Sequence, residues 1–123
     1  MIRITENDKH IKEKGGGPMF FVTTLAKDGS ELDKFKFPDY GACRTVGFFP
    51  DIEEAREAVK SNCGDIHEYL YDFVIIEKMY PGFYPSCIDE NDFEWYKFNC
   101  ETRCYEILEN YVGNSISCNF AIG

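Results

Sequence analysis

An unbroken apolar run, Phe73–Ile76, constrains this chain more than any other feature, and it lies inside a β-prone segment from Tyr71 to Met79. A strand with one solvent-facing side alternates apolar and polar residues, whereas a continuous run is typical of a strand covered on both faces. The run therefore predicts a central strand of a sheet.

Further segments have β character, because β-branched and aromatic residues recur in them between turn residues. These predicted strands are residues 19–26, 31–37, 43–49, 93–98 and 103–108. Asp28-Gly29 is a hairpin signal between the first two, since both positions of a type I′ turn need a positive φ.

One segment, about residues 52–62, has the pattern of a helix. Asp51 is suited to cap it, Glu54 completes a capping box, and Gly64 suits a left-handed stop. The pattern as a whole predicts an α+β fold, in which one principal helix packs on a mainly antiparallel sheet of about five or six strands.

The length of 123 residues fits one domain. We interpret residues 1–18 as a polar arm and glycine-rich hinge that is ordered only when a partner surface holds it, because Gly15-Gly16-Gly17-Pro18 cannot continue a helix. Residues 19–123 are predicted to form a single α+β ligand-binding domain.

The chain carries a formal net charge of −9, from 13 basic and 22 acidic residues. Residues 1–43 hold seven of each sign, so residues 44–123 carry the whole excess. Such a field repels polyanions, and we expect no binding to DNA, RNA or anionic membranes. It permits a basic protein partner, or a small phosphate ligand that a few arginines hold.

The start of the chain is hydrophilic and lacks the apolar core of a secretory signal. No window reaches the roughly 18 apolar residues that predict a membrane-spanning helix. We therefore expect a cytoplasmic protein, whose six cysteines are reduced thiols. No C-x-x-C pair occurs, and His10 and His67 are not spaced for a zinc site, so no metal or cofactor is predicted.

Catalytic signatures are missing from the sequence: it has no phosphate loop, dinucleotide fingerprint, H-E-x-x-H or G-x-S-x-G. Cys63 and His67 could meet as a nucleophile and base, but we interpret them as a buried thiol beside a loop histidine. The expectation is a protein that is not an enzyme.

Two isolated arginines in the acidic part of the chain, Arg44 and Arg103, together with many aromatic residues, predict a recognition surface. Arginine holds phosphate oxygens in bidentate geometry, and aromatic faces stack on bases. Most of these aromatics are expected in the core, with two or three facing a ligand. The arginines have an alternative interpretation as partners of surplus carboxylates.

The segments RTVGFFPDIEEAREAV, NCGDIHEYLYDFVIIEKMYPGFYP and DFEWYKF, within residues 43–98, resemble the first type of phage-encoded Thoeris anti-defence sponges. The resemblance implies a non-enzymatic protein that sequesters a cyclic ADP-ribose isomer made by bacterial TIR-domain proteins, in the cytoplasm of the host. It also implies a homodimer or higher homo-oligomer, and for some members cyclic oligonucleotides at a second site.

Seven ligand-binding residues are predicted on this basis. The motifs that carry the resemblance include Arg44 as a phosphate clamp, Thr45 as a polar orienter, and Phe48, Phe83 and Trp95 as stacking residues. Arg103 is added to the clamp on its charge, and Asn91 is added as a second polar orienter.

Two other functions compete with sequestration. The charge of −9 suits an acidic inhibitor that binds a basic effector protein. A small Cys-dependent or metal-assisted hydrolase of a nucleotide signal is the enzymatic alternative.

Overall fold

The structure of the protein is a computed structural model, and it describes residues 1–27, 40–81 and 90–109. Its helices and strands are α1 (Glu6–Glu13), β1 (Met19–Lys27), β2 (Tyr40–Phe49), α2 (Ile52–Lys60), β3 (Phe73–Met79), β4 (Phe93–Asn99) and β5 (Cys104–Ile107). The α+β class and the principal helix are confirmed. The predicted strand over residues 31–37 and the Asp28-Gly29 turn lie outside the described residues.

The five strands form one antiparallel sheet in the order β2-β1-β3-β4-β5. β3 is its middle strand, and all seven of its residues are buried. The central strand predicted from the apolar run is therefore confirmed, because each side chain of β3 meets a covered face.

Helix α2 covers one face of the sheet. Asp51 caps it as predicted, since a side-chain oxygen of Asp51 accepts a hydrogen bond from the Glu53 amide at 3.1 Å. Its buried residues pack on alternate positions of the central strands, in the cluster Ile52, Ala55, Val59, Val22, Val74, Ile76 and Tyr96. The residues that alternate with these point to the opposite face, where Leu25, Phe73, Ile75 and Trp95 form a second buried cluster.

The beginning of the chain differs from the expected arm, because it contains a short helix that contacts the rest of the protein. The Thr5 side chain accepts from the Asp8 amide, and the Asp8 carboxylate accepts from the Thr5 amide, which is a reciprocal capping box. Ile2 is 5% exposed and joins the cluster under α2. The segment is thus anchored by packing as well as by local hydrogen bonds.

A buried ion pair joins α1 to the central strand. Lys78 Nζ lies 2.8 Å from Asp8 Oδ2 and 3.0 Å from the Arg3 carbonyl oxygen, and the Tyr80 hydroxyl donates to the same carboxylate. Burial alone would raise the pKa of Asp8, but the hydrogen bonds from Lys78, Tyr80 and Thr5 outweigh it and lower that pKa from 3.8 to about 2.

A second buried carboxylate, Glu94 on β4, joins three parts of the chain. Its oxygens accept from Arg56 Nε at 3.0 Å and Nη2 at 2.8 Å, and from the Ile2 amide at 3.1 Å; the Tyr96 hydroxyl also donates to it. Burial acts to raise the pKa of Glu94, yet the contacts with Arg56 and Tyr96 hold it below its usual value. Glu94 therefore fixes the start of the chain and α2 on the sheet as a charged group.

Within the described residues, no helix has the length and apolar character needed to cross a membrane.

Candidate functional site

A groove of about 480 Å³ lies between β2 and the loop that follows α2. Among the described residues, its wall from the strand carries the Arg44 guanidinium, and its wall from the loop carries two carboxylates. The residues that line it are Arg44, Thr45, Val46, Gly64, Asp65, Ile66 and Glu68.

The loop wall folds back toward β2 because several of its residues have a left-handed backbone conformation. The φ angles of Asn62, Gly64 and Asp65 are 51°, 67° and 54°, and these residue types adopt that region readily. Glu68 and Tyr69 follow at 49° and 56°, where their side chains make the conformation costly. Consecutive left-handed residues turn the loop sharply, so that Glu68 faces the strand.

An apolar pocket of about 140 Å³ adjoins the groove, with which it shares the lining residues Val46 and Ile66. It lies between β2 and α2, and its remaining wall is formed by Val22, Gly47, Phe49, Ala58, Val59 and Cys63. A flat apolar group in this pocket would have a charged or polar substituent in the groove beside it.

The charged side chains of the groove have partners within it or beside it. Arg44 Nη1 lies 3.6 Å from Glu68 Oε2, and the two side chains are 61% and 47% exposed. Asp65 Oδ1 accepts from Asn62 Nδ2 at 3.2 Å. Because the Arg44 ion pair is open to water, an anionic ligand can reach the guanidinium at little cost.

Thr45 is held in place across the edge of the sheet. Its hydroxyl lies 3.0 Å from the hydroxyl of Thr23, its partner on β1. The register between β1 and β2 shifts between Val22 and Thr23, so that Val22 pairs with Gly47 and Thr23 with Thr45. This irregularity lies beside the groove, as bulges commonly do at edge strands near binding sites.

Of the seven residues predicted from the sequence, Arg44 and Thr45 line the groove, although the Thr45 hydroxyl bonds to Thr23 on the face of the sheet opposite α2. Phe48 is 61% exposed, but it pairs with Phe21 on the opposite face of the sheet from α2, with ring centroids 5.7 Å apart. Trp95 is 4% exposed and packs in the core on that face. Phe83 lies outside the described residues.

The remaining two predicted residues lie away from the groove. Asn91 precedes β4, and its carbonyl oxygen accepts from the Arg3 amide at 2.9 Å. Arg103 is in the turn before β5, where its guanidinium lies 5.1 Å from the ring centre of Tyr69 and 5.8 Å from that of Phe98. Arg44 and Arg103 thus contact consecutive residues of one loop, Glu68 and Tyr69.

His67 lies in the same loop and is largely buried. Its ring stacks on Phe98, with centroids 3.6 Å apart and an angle of 7° between the planes. Its Nε2 lies 3.6 Å from Asp72 Oδ1, and its Nδ1 has no hydrogen-bond partner among the described residues. Cys63 is exposed, so its interpretation as a buried thiol is wrong, and it lines the apolar pocket. The His67 ring therefore packs under the loop as a structural group.

Sequence reasoning missed the loop wall of the groove, in particular Asp65 and Glu68. The available signal was the segment Asn62-Cys63-Gly64-Asp65, which is rich in residues that favour left-handed conformations. Gly64 is predicted to end the helix, whereas α2 ends at Lys60 and the left-handed backbone continues past Gly64 to form a wall.

Cys63, Cys100 and Cys104 are free thiols in the structure. No group of three or more His, Cys, Asp or Glu side chains within residues 1–27, 40–81 and 90–109 is placed to hold a metal ion.

Comparison of the chain with protein-family models, with curated proteins and with solved structures found no match.

Proposed function

We propose that this protein binds a cyclic ADP-ribose-type signalling nucleotide without altering it, and so blocks Thoeris anti-phage defence in the host cytoplasm. The observation that carries the proposal is the placement of Arg44 and Thr45 in a groove that adjoins an apolar pocket. The resemblance over residues 43–98 supports it, because that resemblance includes both residues.

The dimensions suit a ring joined to a phosphate. A buried apolar cavity of about 150 Å³ is large enough to admit benzene, and the pocket here has about 140 Å³ and shares Val46 and Ile66 with the groove. The adenine ring enters the pocket between β2 and α2. Arg44 then binds the pyrophosphate.

Useful sequestration requires high affinity. Capture at sub-micromolar concentration needs at least about 8 kcal/mol of binding free energy. The groove of one chain is open, and within the described part of the chain Arg44 is the cation that lines it, so we propose that a second copy of the chain closes it in a homo-oligomer. Light scattering with and without ligand measures that assembly, and a monomer that stays monomeric with ligand bound contradicts this part of the proposal.

The experiment that tests the function is a capture-and-release assay. The protein is incubated with a panel of cyclic ADP-ribose isomers, separated from free nucleotide by filtration and heated, and the released nucleotide is identified by mass spectrometry. Recovery of an unchanged isomer in proportion to protein supports sequestration. A converted product shows an enzyme instead, and absence of every isomer from the protein fraction overturns the proposal.

The same preparation distinguishes the acidic-inhibitor alternative. An inhibitor of a basic effector would bind that protein with strong salt dependence and would capture no nucleotide. Cyclic oligonucleotides are added in a separate arm of the experiment. If they displace the captured isomer, the two ligands share one site, and if both remain bound, the protein has two sites.

A further inference from the structure

The charge balance of the groove is unexpected for a site that binds an anion. Among the described residues that line it, Arg44 contributes one positive charge, whereas Asp65 and Glu68 contribute two negative charges. A ligand that presented only phosphate oxygens would be repelled by both carboxylates. A ligand that fits this groove must therefore offer hydrogen-bond donors to the loop wall as well as an anion to the strand wall.

The Glu68 carboxylate lies where it can accept hydrogen bonds from such donors. It faces Arg44 across the groove through Oε2, at 3.6 Å from Nη1. The left-handed backbone at Glu68 and Tyr69 places it there at a conformational cost, and strain of this kind is concentrated at functional sites. Asp65 is oriented by Asn62 on the same wall.

Ribose hydroxyls are the donors that a nucleotide provides beside its phosphates, and carboxylates in dinucleotide sites recognise them directly. We infer that Glu68 selects ligands with a free ribose hydroxyl next to the phosphate that Arg44 binds, and rejects ligands phosphorylated at that hydroxyl. Glu68 is then the specificity-determining residue of the groove. This inference rests on the proposed function, because it assigns the ribose of the same ligand.

The test compares two probes, cyclic ADP-ribose and cyclic ADP-ribose 2′-phosphate, by calorimetry on three proteins. Wild type should bind the first probe at least about tenfold more tightly, which is the discrimination expected from one hydrogen bond to a charged group. Glu68→Gln should reduce that ratio to about threefold or less, because the amide repels phosphate less than a carboxylate does.

Glu57→Gln is the matched control, since Glu57 is an exposed glutamate on α2 and does not line the groove. It should keep the wild-type ratio. Substitution at Glu68 should leave the fold intact, because its side chain is 47% exposed and its ion pair is open to solvent.

Three results separate the inference from the function it rests on. Equal binding of both probes by wild type overturns the inference about Glu68 but does not contradict the proposed sequestration. Equal tightening of both probes in Glu68→Gln also overturns it, because Glu68 would then act only as an electrostatic barrier. If wild type binds neither probe and captures no isomer of the panel, the proposed function itself fails.

Discussion

Arg44 is the residue on which the proposed ligand binding most depends, and its substitution gives the most direct prediction. Arg44→Ala should weaken nucleotide binding by about a hundredfold or more, because a bidentate contact to phosphate is lost. The melting temperature should stay close to that of wild type, since an ion pair of two exposed side chains contributes little stability. Calorimetry and a thermal melt on the same sample measure both quantities.

Lys60→Ala is the control for a general effect of charge, because Lys60 is an exposed cation at the end of α2 and does not line the groove. It should bind as wild type does. Unchanged affinity in Arg44→Ala would remove Arg44 from the site.

At the scale of single residues, the sequence predicts part of the candidate site. Arg44 and Thr45 were identifiable because they belong to a strand whose motif carried the resemblance. Glu68 was missed because its position depends on how a loop folds back on the strand, and no local pattern encodes that approach. Trp95 is buried because its place in the register puts it in the core, and an aromatic residue is equally suited to a core or to a ligand.

Among the elements, α1 depends on contacts with distant residues. Asp8→Ala should lower the free energy of unfolding by about 3–5 kcal/mol, because it leaves the Lys78 ammonium buried without its closest carboxylate. Urea denaturation measures the loss. Glu6→Ala, on the same helix, removes an ion pair with Lys9 that is exposed, and should change stability by less than about 1 kcal/mol. Equal effects of the two substitutions would contradict the structural role of Asp8.

The central strand gives a second prediction at this scale. Ile75 is fully buried, so Ile75→Ala should destabilise the protein by about 2–5 kcal/mol through the loss of apolar contacts and the cavity left behind. Leu70→Ala truncates a side chain that is 50% exposed and should have a much smaller effect. A melting temperature of Ile75→Ala equal to that of wild type would show that β3 is not packed on both faces.

The elements were predictable to the extent that local pattern determines them. β3 and α2 were found because an apolar run and a capped amphipathic segment carry their own signals. Helix α1 was not found, because Gly15–Gly17 dominate the pattern nearby and the helix is short. Its stabilising partners include Lys78 and Tyr80, which no local window contains.

For the whole molecule, the buried carboxylates predict loss of stability in acid. A group whose pKa is lower in the folded protein than in the unfolded chain stabilises the fold while it is ionised. The pKa of Asp8 falls from 3.8 to about 2, so its contribution is complete above about pH 5 and is lost as the pH falls toward 2. The expected loss from this group is roughly 2 kcal/mol, and Glu94 shifts in the same direction.

Urea denaturation at pH 6 and pH 3 checks this expectation, with Asp8→Asn as the comparison. The variant should be less stable at pH 6 and should lose less stability on acidification than wild type. A wild-type free energy of unfolding that stays constant between the two pH values would contradict the pKa assignments.

The Glu94 network has a consequence for how the chain folds during translation. The Ile2 amide bonds to a carboxylate 92 residues later, and Arg3 bonds to the Asn91 carbonyl. Residues 2 and 3 are translated long before β4, so they can dock only after β4 has emerged from the ribosome. Until then the nascent chain exposes Ile2 and the apolar side of α2. During that interval the chain offers a chaperone its largest exposed apolar surface.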